Sequence, residues 1–204
     1  MSEQAQAKRP RADAERNRAR LLDAARAAFA SEQAPVTLEQ IARDAGVGIG
    51  TLYRHFPTRE ALLEALYRKE VADLCASADD LLRSHDPEAA LRAWMDRFAD
   101  FVAAKREIAD ALRAVFASGA VSISQSRREL TASAKTILDA GIADGTLRDD
   151  VRPEDIVAMV IGAFTATSLD GGQEQRARMF DLLTDAVRAT RPTTPKSGNL
   201  LKVN

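Results

Sequence analysis

Apolar side chains recur every three or four residues along most of the chain, the period of an amphipathic helix, and no stretch reads convincingly as a strand. The first periodic segment spans about Glu15 to Glu32, with Leu21, Leu22, Ala25, Ala28 and Phe29 on one face, and Pro35 stops it. Thr37 is a suitable N-cap for a second helix of about two turns. Gln40 stands three residues later in a capping-box pattern, ahead of Ile41 and Ala45. Gly46 permits a sharp turn and Val47 can drop between the helices. A third helix, about Gly48 to His55, turns Leu52 and Phe56 inward and is closed by Pro57. Thr58 then caps a long fourth helix carrying Leu62, Leu63, Leu66, Val71, Leu74 and Leu81.

The same signals mark five further helices. Asp86 and Pro87 open one that carries Leu91, Trp94, Met95, Phe98, Phe101 and Val102. Others run from about Glu107 to Ala117, from Ser122 to Asp144, from Pro153 to Leu169, and from Gln173 to Thr190. The expected fold is therefore all-α with about nine helices. A mobile basic arm covers residues 1–14, a three-helix helix-turn-helix domain 15–57, a larger helical bundle 58–190, and a disordered tail 191–204.

Two short helices around a glycine turn, followed by a long one, are how a protein offers one helix end to the major groove of DNA. Charge agrees in its distribution rather than its total. The net formal charge is −1, which argues against a chain that is basic all over. Up to Arg59, however, ten Lys and Arg residues face seven Asp and Glu, a small excess placed where phosphates would be met. Cys75 cannot form an internal disulfide and shares an apolar stripe with Val71, Leu74 and Ala78, so it reads as a small buried hydrophobe. The N-terminal residues contain no apolar run long enough for a signal or a membrane span, and a cytoplasmic protein without membrane contact is expected.

The run GVGIGTLYRHF, preceded by TLEQIARDA and followed by PTREALLEAL, resembles the TetR family of bacterial transcriptional regulators over about Arg16 to Tyr67. The stretch IADGTLRDDVRPEDIVAMVIG is similar to one found near the C-terminus of many members. The resemblance implies that Thr37 contacts phosphate through its hydroxyl and helix N-terminus, a role compatible with N-capping. It places Gly48, Ile49, Gly50 and Thr51 at the base-reading start of the third helix. Ile49 is then suited to a thymine methyl, Thr51 to a base edge or phosphate, and Gly50 to close approach. Tyr53 takes the place of a tyrosine that packs on the DNA backbone or a thymine methyl and His55 that of a phosphate contact, Arg54 either reaches a guanine or a phosphate or stays solvated, and Arg59 clamps backbone phosphate. Gly48 departs from the family pattern, which often has Ser or another capping residue there. With Gly50 it is expected to soften the helix by about 1 kcal/mol per interior glycine.

For the remainder, the resemblance implies a homodimer joined by its last two helices into a four-helix bundle, a palindromic DNA operator, and a small-molecule pocket among the middle helices. The eighth helix is apolar nearly all round. Its surface suggests an interface of Val157, Val160, Ile161 and Phe164 with Phe180, Leu183 and Val187 of the ninth, the alternative being the central core helix of a monomer. Trp94, Phe98, Phe101, Phe116, Met159 and Phe164 are candidate pocket walls, with ordinary core packing the competing role for each. Nothing in this half names the ligand.

An enzyme is the first rival class. The chain has no phosphate-binding glycine loop after a strand, no HExxH and no nucleophile elbow, and its two histidines, His55 and His85, lie far apart. No catalytic residue, metal ligand or cofactor is expected. The sequence thus points to a DNA-binding regulator, a repressor released from its operator by a small molecule. A helical protein-interaction or architectural DNA-binding module without ligand control is the alternative.

Overall fold

α1 (Glu3–Phe29) is the first of nine α-helices among the residues that the computed structural model describes, namely 3–29, 36–106, 109–119, 121–167 and 172–189. It begins well before Glu15. Most of residues 3–14, expected as part of a mobile arm, are good helix formers such as Ala, Gln, Glu, Lys and Arg, and they extend the helix without needing an apolar face. The expected tail at 191–204 lies outside the described residues.

Local capping chemistry sets the next three helices. Thr37 is extended, and its hydroxyl accepts from the Gln40 N–H at 3.2 Å to start α2 (Leu38–Asp44). The reciprocal half of the capping box is replaced, since the Gln40 amide donates down the helix to Asp44 at 2.7 Å. Gly46 takes φ +65°, a left-handed turn that a side chain would strain, and Val47 packs half-buried against the core. Gly48 is the N-cap of α3 (Ile49–His55), outside the helix interior, so of the two only Gly50 stands within the helix; glycine at a cap sacrifices a few tenths of a kcal/mol. The Thr58 hydroxyl accepts from the Ala61 N–H at 3.1 Å and opens α4 (Arg59–Ser84).

The remaining elements are α5 (Pro87–Arg106), started by the Asp86 carboxylate accepting from the Ala89 N–H at 2.8 Å, α6 (Ala109–Ala117), α7 (Ile123–Asp144), α8 (Pro153–Ala166) and α9 (Gly172–Val187). α8 and α9 both end about three residues before their expected limits. Gly145, at φ +76°, terminates α7. The chain then folds back so closely that a Cβ at Gly141 would overlap the Leu147 side chain. Beyond α9, Leu147 and Arg188 pair as an isolated bridge, with the Arg148 N–H donating to the Val187 carbonyl at 3.0 Å.

Two apolar cores result. Leu21, Leu22, Ile41, Leu52 and Phe56 of the first three helices close on Leu62, Leu63, Leu66, Tyr67 and Val71 of α4, and Leu112 and Val115 of α6 join them. The second core collects Leu74, Ala78 and Leu81 of α4 with buried residues of α5, α7, α8 and α9. α4 therefore belongs to both, and the boundary expected at Pro57 does not separate independent cores.

The second core also corrects the expected dimer surface. Val157, Val160 and Phe164 of α8, and Phe180 and Val187 of α9, are buried within their own subunit, while Leu183 is half-buried against them. An all-round apolar helix must bury one face at home, and these residues form that face; of the seven expected, Ile161 alone is exposed. The outer face of α8 carries Ala158, Met159, Gly162 and Ala166, and that of α9 carries Leu182. Cys75 is half-buried; burial pushes its thiol up to about 11, with Glu129 adding to the shift, so it stays protonated at neutral pH. No helix among the described residues is long and apolar enough to cross a membrane.

Candidate nucleic-acid interface and ligand cavity

The helix-turn-helix arranges α3 so that its two faces differ sharply. Leu52 and Phe56 are buried and anchor it to the first core, while Ile49 (39% exposed) and Tyr53 (45%) point away from it. Gly48, Gly50 and Arg54 are exposed, and Thr51 and His55 are half-buried along the edges. A Cβ at Gly48 or Gly50 would meet nothing within 4 Å, so this surface is open. Thr37 is exposed beside it, with the free N-terminus of α2 behind its hydroxyl. Seven of the expected contact residues (Thr37, Ile49, Gly50, Thr51, Tyr53, Arg54, His55) thus gather on α3 and the start of α2, with Gly48 at the cap.

Arg59 stands differently. Its guanidinium donates to the Val36 carbonyl and lies over the Phe29 ring, 5.1 Å from the centroid, tying the end of α1 to the approach to α2. The resemblance implies a phosphate contact for Arg59, and its contacts with Val36 and Phe29, 23 and 30 positions away, left no sign in the sequence. Arg18, likewise, lies 5.4 Å over Phe56 and covers the underside of α3.

Among the middle helices a cavity of about 440 Å³ opens between α4, α5, α6, α7 and α8. Of the expected wall residues, Phe98, Phe101 and Phe116 line it. Three do not. Trp94 is wholly buried in the second core against Phe98, Phe164 is buried in the same core, and Met159 is 52% exposed on the outer face of α8. Trp94 lies on the α5 stripe that packs into the second core, Phe164 is taken up by the same core, and Met159 lies on the outer face of its helix.

Tyr67 of α4 completes the aromatic wall, edge-on to Phe116 at 5.4 Å and tilted against Phe101 at 5.8 Å. Lys105 of α5, also missed from the sequence, stands on this wall with its ammonium 4.6 Å from the Phe101 ring centroid. Burial, and after it the nearby Arg26 cation, lower its pKa to about 7, and its ammonium is ion-paired with the Glu70 carboxylate. The spacing of Phe98, Phe101 and Lys105 was the available sign, since steps of three and four keep Lys105 on the helix face of the two phenylalanines.

Comparison with known proteins matches this arrangement. A sequence model described as bacterial regulatory proteins of the tetR family covers residues 21–66, and one described as the C-terminal domain of SbtR-like transcriptional regulators covers residues 86–189. A TetR transcriptional regulator from Streptomyces coelicolor is similar at 46% identity over 85% of this chain and 99% of its own, with a TM-score of 0.76. A TetR transcription regulatory protein from Mycobacterium vanbaalenii is 32% identical over 87% of this chain and 98% of its own, with a TM-score of 0.68. A transcriptional regulator from Cytophaga hutchinsonii, 20% identical with a TM-score of 0.65, shares the fold. With both halves of the fold matched and an open helix-turn-helix face at its N-terminal end, this chain belongs to the TetR family of bacterial DNA-binding transcriptional regulators.

Proposed function

We propose that the chain is a dimeric repressor that holds a palindromic operator through two copies of the α3 face and leaves it when a small molecule fills the cavity. The observation that carries this reading is the double membership of α4. Its first half is packed into the core that carries α3, and its second half into the core beside the cavity. Tyr67 joins the two, being packed in the first core and standing on the cavity wall. A ligand that prefers one position of α4 thereby prefers one position of the reading head.

In this reading the N-termini of the paired α3 helices sit about 34 to 36 Å apart to meet successive major grooves. Ile49 and Thr51 face base edges, Tyr53, Arg54 and His55 lie along the backbone, and Thr37 holds a phosphate at the start of α2. Arg59 supports Thr37 from behind. The dimer closes through the outer faces of α8 and α9, where Met159, Ala158, Gly162, Ala166 and Leu182 offer an apolar strip with small residues that allow close approach.

The test begins by selecting bound fragments from the source genome with purified protein and measuring their band shifts. Wild-type protein is expected to prefer one palindromic site over bulk DNA, with affinity falling steeply as salt rises. Tyr53→Ala is expected to lose at least about tenfold in operator affinity with its thermal melt little changed, because the side chain is exposed and belongs to neither core. Unchanged binding in that variant would show that the groove-facing surface lies elsewhere.

A further inference from the structure

We infer that the cavity takes an amphipathic organic anion whose charged group pairs with Lys105, and that its arrival is passed to α1 through the carboxylate that Lys105 shares with Arg26. This rests on reading the cavity as the ligand site and adds the class of ligand and the route of the signal.

The charge of the wall selects the class. Lys105, Arg113 and Arg127 all line the cavity, and no carboxylate does so among the described wall residues. Around these cations the surface is mainly apolar and aromatic, suited to a hydrophobic body. An organic cation would meet three like charges. It would also find the aromatic faces taken, since the Lys105 ammonium already lies over Phe101 at 4.6 Å and over Tyr67 at 5.6 Å. A neutral ligand would gain nothing from the positive wall. An anion pairs with it in a sheltered site, where a charge-assisted contact is strongest.

The route follows from what Lys105 already holds. Its ammonium pairs with Glu70 of α4, and both side chains are nearly buried. The other oxygen of Glu70 lies 3.4 Å from the Arg26 guanidinium of α1, and Arg26 also pairs with Asp73 at 3.0 Å. Glu70 therefore divides its charge between a cavity cation and a cation on the first helix of the reading head. An incoming anion competes with Glu70 for Lys105. As it wins, Glu70 turns to Arg26 alone, and the balance holding α1 against α4 changes. Burial has already brought the Lys105 pKa down to about 7, so an anion that reaches it favours the charged form there.

Two probes that share one ring system separate these claims: 8-anilinonaphthalene-1-sulfonate and its uncharged relative N-phenyl-1-naphthylamine. Fluorescence titrations of the full chain at pH 6, where Lys105 is charged, are expected to show the sulfonate binding at least about tenfold more tightly than the neutral probe. Lys105→Met should erase that preference while the neutral probe keeps its affinity, which also shows that the variant retains its cavity. Glu70→Gln should act in the opposite sense and tighten sulfonate binding, because the competing carboxylate has gone.

Equal binding of both probes to wild-type protein, or a preference that survives Lys105→Met, overturns the anion class while the cavity stands as a ligand site. Binding of neither probe overturns both. Sulfonate binding weakened by Glu70→Gln as it is by Lys105→Met overturns the competition. Amide exchange reads the route: saturation with the sulfonate should alter protection in α1 around Arg26 in wild-type protein and not in Glu70→Gln. Identical changes in the two proteins, or no change in wild-type protein, overturn the route.

Discussion

The Arg59 guanidinium, in the first turn of α4, donates to the Val36 carbonyl just ahead of α2, and so fixes the distance between the two helix starts that flank α3. The bond satisfies a carbonyl that no helix uses. Cation and ring then add to it through Phe29.

Arg59→Ala should therefore act first on folding. A loss of about 1–2 kcal/mol in urea unfolding is expected from the hydrogen bond and the ring contact together. If the side chain is committed in this way, the salt dependence of operator binding should keep the wild-type slope. A slope flattened by about one phosphate contact, with unfolding unchanged, would return Arg59 to the DNA interface.

Gly50→Ala separates fit from folding at the reading face. A methyl group there meets no neighbour and removes a glycine from the first turn of α3, so stability should rise, by less than the roughly 1 kcal/mol of an interior position. Operator affinity should fall all the same, because the added group stands where α3 approaches the bases. A melt that drops sharply would mean that this surface is less open than its geometry indicates.

Leu182 is 68% exposed on the outer face of α9, the face that closes the proposed dimer. Leu182→Arg should leave the subunit folded and shift sedimentation from dimer towards monomer, with a steep loss of operator affinity, since two heads are needed to span the palindrome. Val157→Arg, by contrast, should fail to fold, because Val157 is fully buried in its own subunit. A Leu182→Arg protein that remains dimeric would remove α9 from the proposed interface.

Lys105 also makes stability depend on pH in a definite direction. Its pKa is about 7 in the folded chain against 10.5 for the free side chain, so between these values the unfolded chain holds more protons than the folded one, and stability rises with pH. Below about pH 7 both states are charged and the burial penalty is present in full. Urea unfolding at pH 7 and pH 9 should therefore show wild-type protein gaining relative to Lys105→Met as pH increases. A constant difference between the two would show that Glu70 holds the ammonium charged throughout.

The helix-turn-helix was legible from sequence because its determinants are local. Thr37 and Thr58 cap the helices that follow them, Gly46 turns where φ is positive, and Leu52 and Phe56 are spaced to face one core; each depends on residues only a few positions away. The nine-helix class followed from the same periodicity. Helix ends were less legible. The residues before Glu15 carry the propensity for helix without an apolar face to announce it, and α8 and α9 stop short of their expected limits.

Tertiary packing decided the rest. Sequence could mark α8 as apolar on nearly every side, but only its place against α5, α7 and α9 determined that Val157, Val160 and Phe164 face inward and Met159 outward. It could place phenylalanines on α5 and α6, yet not their meeting with Tyr67 around a basic cavity, nor the sharing of Glu70 between Lys105 and Arg26. Periodicity and capping are carried by neighbours along one helix. Which helix face meets which, and which distant charges become partners, emerges only when several helices compete for the same interior.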